Sequence, residues 1–259
     1  MFGEDGNDRM IWNPGDDTDL IEGGNGTDTA EVNGGGGAEV FTVTANGLRV
    51  RFDRVDPAPF MLDIGTTETL WLKAGGGDDT ISTSGNLAAL IALTLDGGLG
   101  NDTILGGNGA DALLGGDGND FIDGQQGNDV AFLGVGDDVF QWDPGDGNDI
   151  VDGQGGLDRL LFNGSAANEI YVLSANGQRA QLTRDVGAID SEFASLSHAS
   201  CTSAVGVSVA PGSSCRIVAA RRRNSSYVAT NNRSSFPRSP ANGPSSESSK
   251  GPLCASGDM

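Results

Sequence analysis

Seven nine-residue units between Gly97 and Leu161 constrain this chain more than anything else in it. Written in nines they run GGLGNDTIL, GGNGADALL, GGDGNDFID, GQQGNDVAF and LGVGDDVFQ. After Trp142 and Asp143 come PGDGNDIVD and GQGGLDRLL. Glycine stands fourth in every unit, at Gly100, Gly109, Gly118, Gly127, Gly136, Gly147 and Gly156. Aspartate stands sixth: Asp102, Asp111, Asp120, Asp129, Asp138, Asp149 and Asp158. The eighth place is apolar: Ile104, Leu113, Ile122, Ala131, Phe140, Val151 and Leu160. Three places kept through seven registers are no accident of composition, even with 42 glycines among 259 residues. A fixed period of this kind marks a stack of repeats.

The spacing carries a physical meaning. Early glycines permit turns with positive φ and a close approach of backbones. The last three residues, with one apolar side chain between two others, suit a short strand that points one residue inward. A six-residue turn and a three-residue strand make half a coil, so two nonads close one flattened turn of a stack. Coils in such a stack repeat at about 4.8 Å, which sets equivalent aspartates above one another. Like charges at about that distance repel by roughly 3 kcal/mol at an effective dielectric of 20. A cation is therefore needed between them. Hard oxygen donors, carboxylate and glycine carbonyl, in a flexible loop select Ca²⁺ over zinc or copper.

These nonads resemble the repeats-in-toxin, or hemolysin-type, calcium-binding repeat GGxGxDxUx, in which U is a large apolar residue. The resemblance implies an all-β, right-handed parallel β-roll or β-helix, with Ca²⁺ held between turns by glycine carbonyls and the sixth-place aspartates. Carried onto this chain, the carboxylates are the seven aspartates of the array, and the carbonyl donors include Gly98, Gly100, Gly107, Gly109, Gly116 and Gly118. Gln125 and Gln154 depart from the second glycine, and Leu133 and Pro144 from the first. The resemblance further implies a secreted, extracellular protein exported by a one-step (type I) route. Such substrates carry a C-terminal export signal, which the tail of this chain does not resemble.

A longer internal repeat extends the pattern. A shift of 130 residues lays the unit at Gly3 on that at Leu133, and Trp12 and Pro14 on Trp142 and Pro144. Asp8, Asp19 and Asp28 fall on Asp138, Asp149 and Asp158 and take the same ligand expectation; a 23-residue shift adds Asp79, in register with Asp102. Alternating segments around Asn46-Gly47 and Asn176-Gly177 predict hairpins with type I′ turns, packed against the roll and interrupting it. The expected organisation is a short array over 1–31, a hairpin spacer and strand over 32–74, and the main roll over 75–161. A truncated hairpin spacer follows over 162–190. Residues 191–259 are read as a disordered Ser/Arg-rich tail, foreign or frame-shifted.

Charge supports that last boundary. Residues 1–190 hold 33 acids against eight bases, whereas the tail holds three acids against seven bases, with all three cysteines and the one histidine. An acidic body lacks the basic footprint of a nucleic-acid binder, and no apolar run is long enough to span a bilayer. The cysteines are too irregularly spaced for a metal or disulfide framework. With no histidine before residue 191, neither HExxH nor a Ser–His pair is available in the body, and there is no GxSxG. No twelve-residue EF-hand loop ends in glutamate. The tryptophans read as packing residues. The expectation is therefore a calcium-binding roll that folds on its ions and catalyses nothing. The alternatives are an adhesive spacer with a cell-surface or polysaccharide partner, or the repeat appendage of a larger secreted toxin or hydrolase.

Overall fold

Each nonad ends in a strand because its last three residues alternate out, in, out, and the inward one is apolar. The structure, a computed structural model, describes residues 1–165, 169–176, 179–185, 189–195, 198–201 and 215–219. In chain order the strands are β1 (Phe2–Asp5), β2 (Arg9–Trp12), β3 (Asp19–Asn25), β4 (Thr29–Asn33), β5 (Val40–Asn46), β6 (Arg49–Asp56), β7 (Phe60–Gly65) and β8 (Thr69–Gly76). The array supplies β9 (Thr80–Ser84), β10 (Ala92–Leu99), β11 (Thr103–Leu105), β12 (Ala112–Asp117), β13 (Phe121–Asp123), β14 (Val130–Val135), β15 (Val139–Trp142), β16 (Ile150–Asp152) and β17 (Arg159–Phe162). Then come β18 (Glu169–Asn176), β19 (Arg179–Arg184), β20 (Ile189–Ala194), β21 (His198–Cys201) and β22 (Cys215–Ala219). No helix among the described residues is long and apolar enough to cross a membrane.

Two mostly parallel sheets face each other. The first runs β1-β3-β7-β6-β5-β9-β11-β13-β15-β17-β21, and the second β2-β4-β8-β10-β12-β14-β16-β20-β19-β18-β22. The chain crosses from one sheet to the other at every six-residue turn of the array, which is the expected β-roll. Neighbouring coils of the central array are 18 residues apart, two nonads, as in the pairing of Ile104 with Ile122 and of Leu113 with Ala131. The coil widens to 23 residues between Asp79 and Asp102, and to 20 where Trp142 and Asp143 are inserted.

The eighth-place residues make the core. Ile81, Ile104, Ile122, Phe140 and Leu160 stack in the first sheet, and Leu72, Leu95, Leu113, Ala131 and Val151 in the second; all are at most 2% exposed. Each large member contributes roughly 1.5–3 kcal/mol of burial. Trp12 stacks on Phe60 with ring centroids 3.7 Å apart, and Trp142 on Phe162 at 4.2 Å, so both pack as expected. Trp71 instead lies half-buried on the outer face, with Lys73 Nζ 3.8 Å from its ring centre.

The two inserted segments correct their expected form. Each is a three-stranded antiparallel meander rather than a hairpin, and each takes places within the wall of the roll. β5, β6 and β7 sit in the first sheet between β3 and β9, and β18, β19 and β20 end up beside β16 in the second. The long repeat thus exchanges the sheets between its two copies. The first turn is also not the expected one. Asn46 pairs with Arg49, so Gly47 and Leu48 form the turn, and only Gly47, at φ 67°, is left-handed; that is the II′ pattern. Gly177 and Gln178, the second turn, lie outside the described residues.

The boundary at residue 190 is corrected as well. It falls inside β20, where Ile189, Ser191 and Phe193 are buried as Phe60, Leu62 and Ile64 are in β7. Arg54 pairs with Phe60 and Arg184 with Ile189, so the second copy has lost one residue in the turn between those strands. A one-residue slip reverses which side chains face inward, and a fixed shift of 130 therefore made a continuing strand look broken. With the shift reduced to 129 the copies agree onward. Thr66 and Ser195 are both left-handed, and β21 pairs with β17 as β8 pairs with β4. Of the remainder of the supposed tail, β22 pairs with β18, and residues 202–214 and 220–259 lie outside the described residues.

Candidate metal centre

The sixth-place aspartates are brought together in rows, one along each line of turns between the sheets. In the row leading into the first sheet, the backbone N–H of each acid donates to a carboxylate oxygen of the acid in the next coil. Glu39 donates to Asp79 Oδ1 at 2.7 Å, Asp79 to Asp102 at 2.7 Å, and Asp102 to Asp120 at 2.8 Å. Asp120 donates to Asp138 at 2.8 Å and Asp138 to Asp158 at 3.1 Å. The row leading into the second sheet has two parts. Asp8 donates to Asp28 and Asp28 to Glu68 Oε2; further on, Asp111 donates to Asp129, Asp129 to Asp149, and Asp149 to Ser191 Oγ.

Each aspartate that accepts such a bond uses one oxygen for it and leaves the other. The Oδ2 atoms of Asp8, Asp28, Asp79, Asp102, Asp120, Asp129, Asp138, Asp149 and Asp158 are buried and have no hydrogen-bond partner. A buried acceptor left bare costs about 1–3 kcal/mol, and more when charged. Nine in register cannot be a packing defect. Burial is the first cause of a strongly raised carboxyl pKa at five of these aspartates, aided by neighbouring like charges. Asp79, Asp120 and Asp149 are pushed up to about 7, Asp129 to about 8, and Asp138 to about 6. Among the described residues no positive side chain reaches these oxygens.

The glycines keep the space beside them open. A Cβ on Gly97, Gly115, Gly124 or Gly153, the first place of its unit, would run into the free oxygen of Asp102, Asp120, Asp129 or Asp158. At the fourth place, Gly118 adopts φ 140° and a Cβ there would overlap the Gly100 carbonyl. Gly98 and Gly116 stack in register at the ends of β10 and β12. Among the described residues no three His, Cys, Asp or Glu side chains form a group that could hold a metal ion. A cation in these rows would therefore need backbone carbonyls beside the carboxylates, the mixed hard-oxygen set that suits Ca²⁺.

Three expected ligands are set apart. Asp19 opens β3 opposite Leu62 and partly exposed; Leu62 offers no acceptor where Ser191 serves Asp149, so Asp19 joins neither row. Asp111 lacks the bare Oδ2 of the others, because that oxygen accepts the Gly107 N–H at 2.6 Å. The Gly107 carbonyl in turn accepts the Gln126 N–H at 3.1 Å. The reason lies one coil earlier, where a single 3-10 turn at Leu87–Ala89 buries Leu87 and Ile91 and interrupts the second row with an apolar plug. Gln125 and Gln154, by contrast, adopt φ 60° and 61° and preserve the turn. Each is fixed by an N–H bond to an aspartate two residues earlier, Asp123 or Asp152.

Glu39 and Glu68 belong to the rows although the aspartate pattern passes over them. The signal was an acid two residues before an inward apolar residue, Phe41 or Leu70. The fifth place was also missed. Asn101 accepts from the Asn119 N–H, Asn119 from Asp137, and Asp137 from Leu157, at 2.8–2.9 Å. This outer ladder runs toward the preceding coil while the sixth-place ladder runs toward the next, so both turn N–H groups are satisfied.

Residues 71–86, 94–122 and 105–140 match the RTX calcium-binding nonapeptide repeat, in four copies. The matched stretches cover the array as far as residue 140, and calcium binding is the property these repeats carry. No curated protein gives a significant match to the chain.

Proposed function

We propose that the chain is a calcium-binding β-roll that completes its fold on binding its ions and has no catalysis of its own. The observation that carries this reading is the register of buried, partnerless Oδ2 atoms in both rows. The proposed carboxylate ligands are Asp79, Asp102, Asp120, Asp138 and Asp158 on one side, and Asp8, Asp28, Asp129 and Asp149 on the other. Gly98, Gly100, Gly109, Gly116 and Gly118 are proposed as carbonyl donors, with the free Oδ2 atoms along the same line of turns as the other half of each site. Bound calcium would neutralise paired carboxylates and supply the missing partners; the chain orders the turns and excludes water from them.

Such repeats are typical of secreted proteins, and a secreted location fits sites of modest affinity. Extracellular calcium modules bind at about 10⁻⁴–10⁻³ M. Far-UV circular dichroism and calorimetry of the full chain, titrated with Ca²⁺ from excess chelator, test the proposal. β-structure is expected to rise with calcium through that range. A spectrum that is fully β in chelator and unmoved by Ca²⁺ would overturn it.

A further inference from the structure

We propose that the guanidinium of Arg54 stands in for a cation at the first step of the first-sheet row, so that Glu39 closes onto Asp79 without calcium. The inference rests on the calcium reading of the rows and adds which step takes no ion. Every acid of this row from Asp79 to Asp158 keeps one buried oxygen without a partner. Glu39 is as deeply buried, at 3% exposed, and keeps none. Its Oε2 accepts the Gly35 N–H, and its Oε1 accepts from Arg54 Nη1 at 2.7 Å.

Arg54 is held for this purpose from several sides. Its Nε and Nη2 donate to the Ala58 carbonyl at 3.1 and 3.0 Å, and its Cζ lies 4.9 Å from the Phe60 ring centre. The side chain is 11% exposed, so this is not a mobile surface pair that water screens. The topology explains why a protein cation is needed at this point. Beyond β5 the next strand in the sheet is β6, which runs antiparallel. It cannot bring another acid-bearing turn into register behind Glu39, and the row must end there. A buried glutamate at the end of the row would otherwise stay charged with the Asp79 coil as its one neighbour to share an ion with. The strand that ends the row also delivers the positive charge that closes it.

The count of bound calcium separates this role from a purely structural ion pair. Calcium bound per chain at saturation is measured by equilibrium dialysis, with circular dichroism confirming the fold at the same calcium concentration. Arg54→Gln frees a Glu39 oxygen and is expected to bind one ion more than the parent chain. The double variant Arg54→Gln, Glu39→Gln is expected to return to the parent's number. A folded Arg54→Gln chain with the parent's number or fewer overturns the proposal. If that variant does not fold at any calcium concentration, the double variant decides alone. The parent's number then upholds the proposal, and one ion fewer shows that Glu39 ligates calcium in the parent and overturns it. A parent chain that binds no calcium ends the calcium reading of the rows, and this inference with it.

Discussion

Asp120 shows how a single side chain serves two purposes. One oxygen accepts the Asp102 N–H and so ties two coils; the other is buried and bare. Asp120→Asn keeps the acceptor and removes the charge, whereas Asp120→Ala removes both and leaves the Asp102 N–H unsatisfied, at about 1–3 kcal/mol. Calorimetry is expected to show weaker calcium binding in both variants, with the alanine chain also less stable when calcium-loaded. Ile122, two residues on and fully buried, has the opposite character. Ile122→Asp puts an unpaired charge in the apolar column, a cost of several kcal/mol, and no calcium concentration is expected to restore its β spectrum. Equal titrations for Asp120→Ala, Ile122→Asp and the parent would undo the assignment of places six and eight. At this scale the sequence was most legible where the residue type was constant. The central aspartates and their inward neighbours were readable from spacing alone. Glu39 and Glu68 were not, because a longer acid in a degenerate turn keeps only the two-residue interval to Phe41 and Leu70. Asp111 was assigned by its place, and the bond that occupies its Oδ2 goes with a plug formed a coil away by Leu87 and Ile91.

At the level of elements, what escaped the sequence was register between distant segments. The nonads declare their own pairing, since a repeat of 18 residues per coil puts like on like. The meanders do not, because β6 and β19 are antiparallel insertions whose flanking turns differ by one residue, and that difference, together with the change of charge and composition there, made Ser191 to Cys201 look foreign. The physical consequence can be measured. Phe193 is 1% exposed and pairs across to Val151, and the Ser191 hydroxyl accepts the Asp149 N–H at 3.1 Å. Phe193→Ala is expected to cost about 3–5 kcal/mol, read from denaturant unfolding of the calcium-loaded chain. Ser191→Ala is expected to cost less and to weaken the sites beside Asp149. A neutral Phe193→Ala would return the boundary to residue 190. The outer ladder gives a contrasting expectation. Asn119→Ala removes an exposed bond to Asp137 and should cost about 0.5–1.5 kcal/mol with calcium binding little changed.

The whole molecule sets charge against burial, and protons and calcium compete to settle the conflict. Residues 1–190 carry 33 acids against eight bases, and burial holds the carboxyls of Asp79, Asp120, Asp129 and Asp149 at about 7 to about 8 in the ion-free fold. In the unfolded chain the same groups titrate near 3.8. Between those values the folded form binds protons that the unfolded form has lost, so stability falls as pH rises. The penalty is absent below about 4, grows as pH rises to about 7 or 8, and is constant above that. In excess chelator the chain is therefore expected to show more β-structure at pH 5 than at pH 8. Calcium reverses the preference, because its ligands must be deprotonated: binding at pH 7 should release protons, and affinity should fall as pH drops from 8 to 6. Calorimetry in two buffers of different ionisation enthalpy reads the proton release directly. Identical heats in both buffers, together with a chelated spectrum indifferent to pH, would mean that the rows stay charged without a cation. The fold would then not depend on calcium to relieve them.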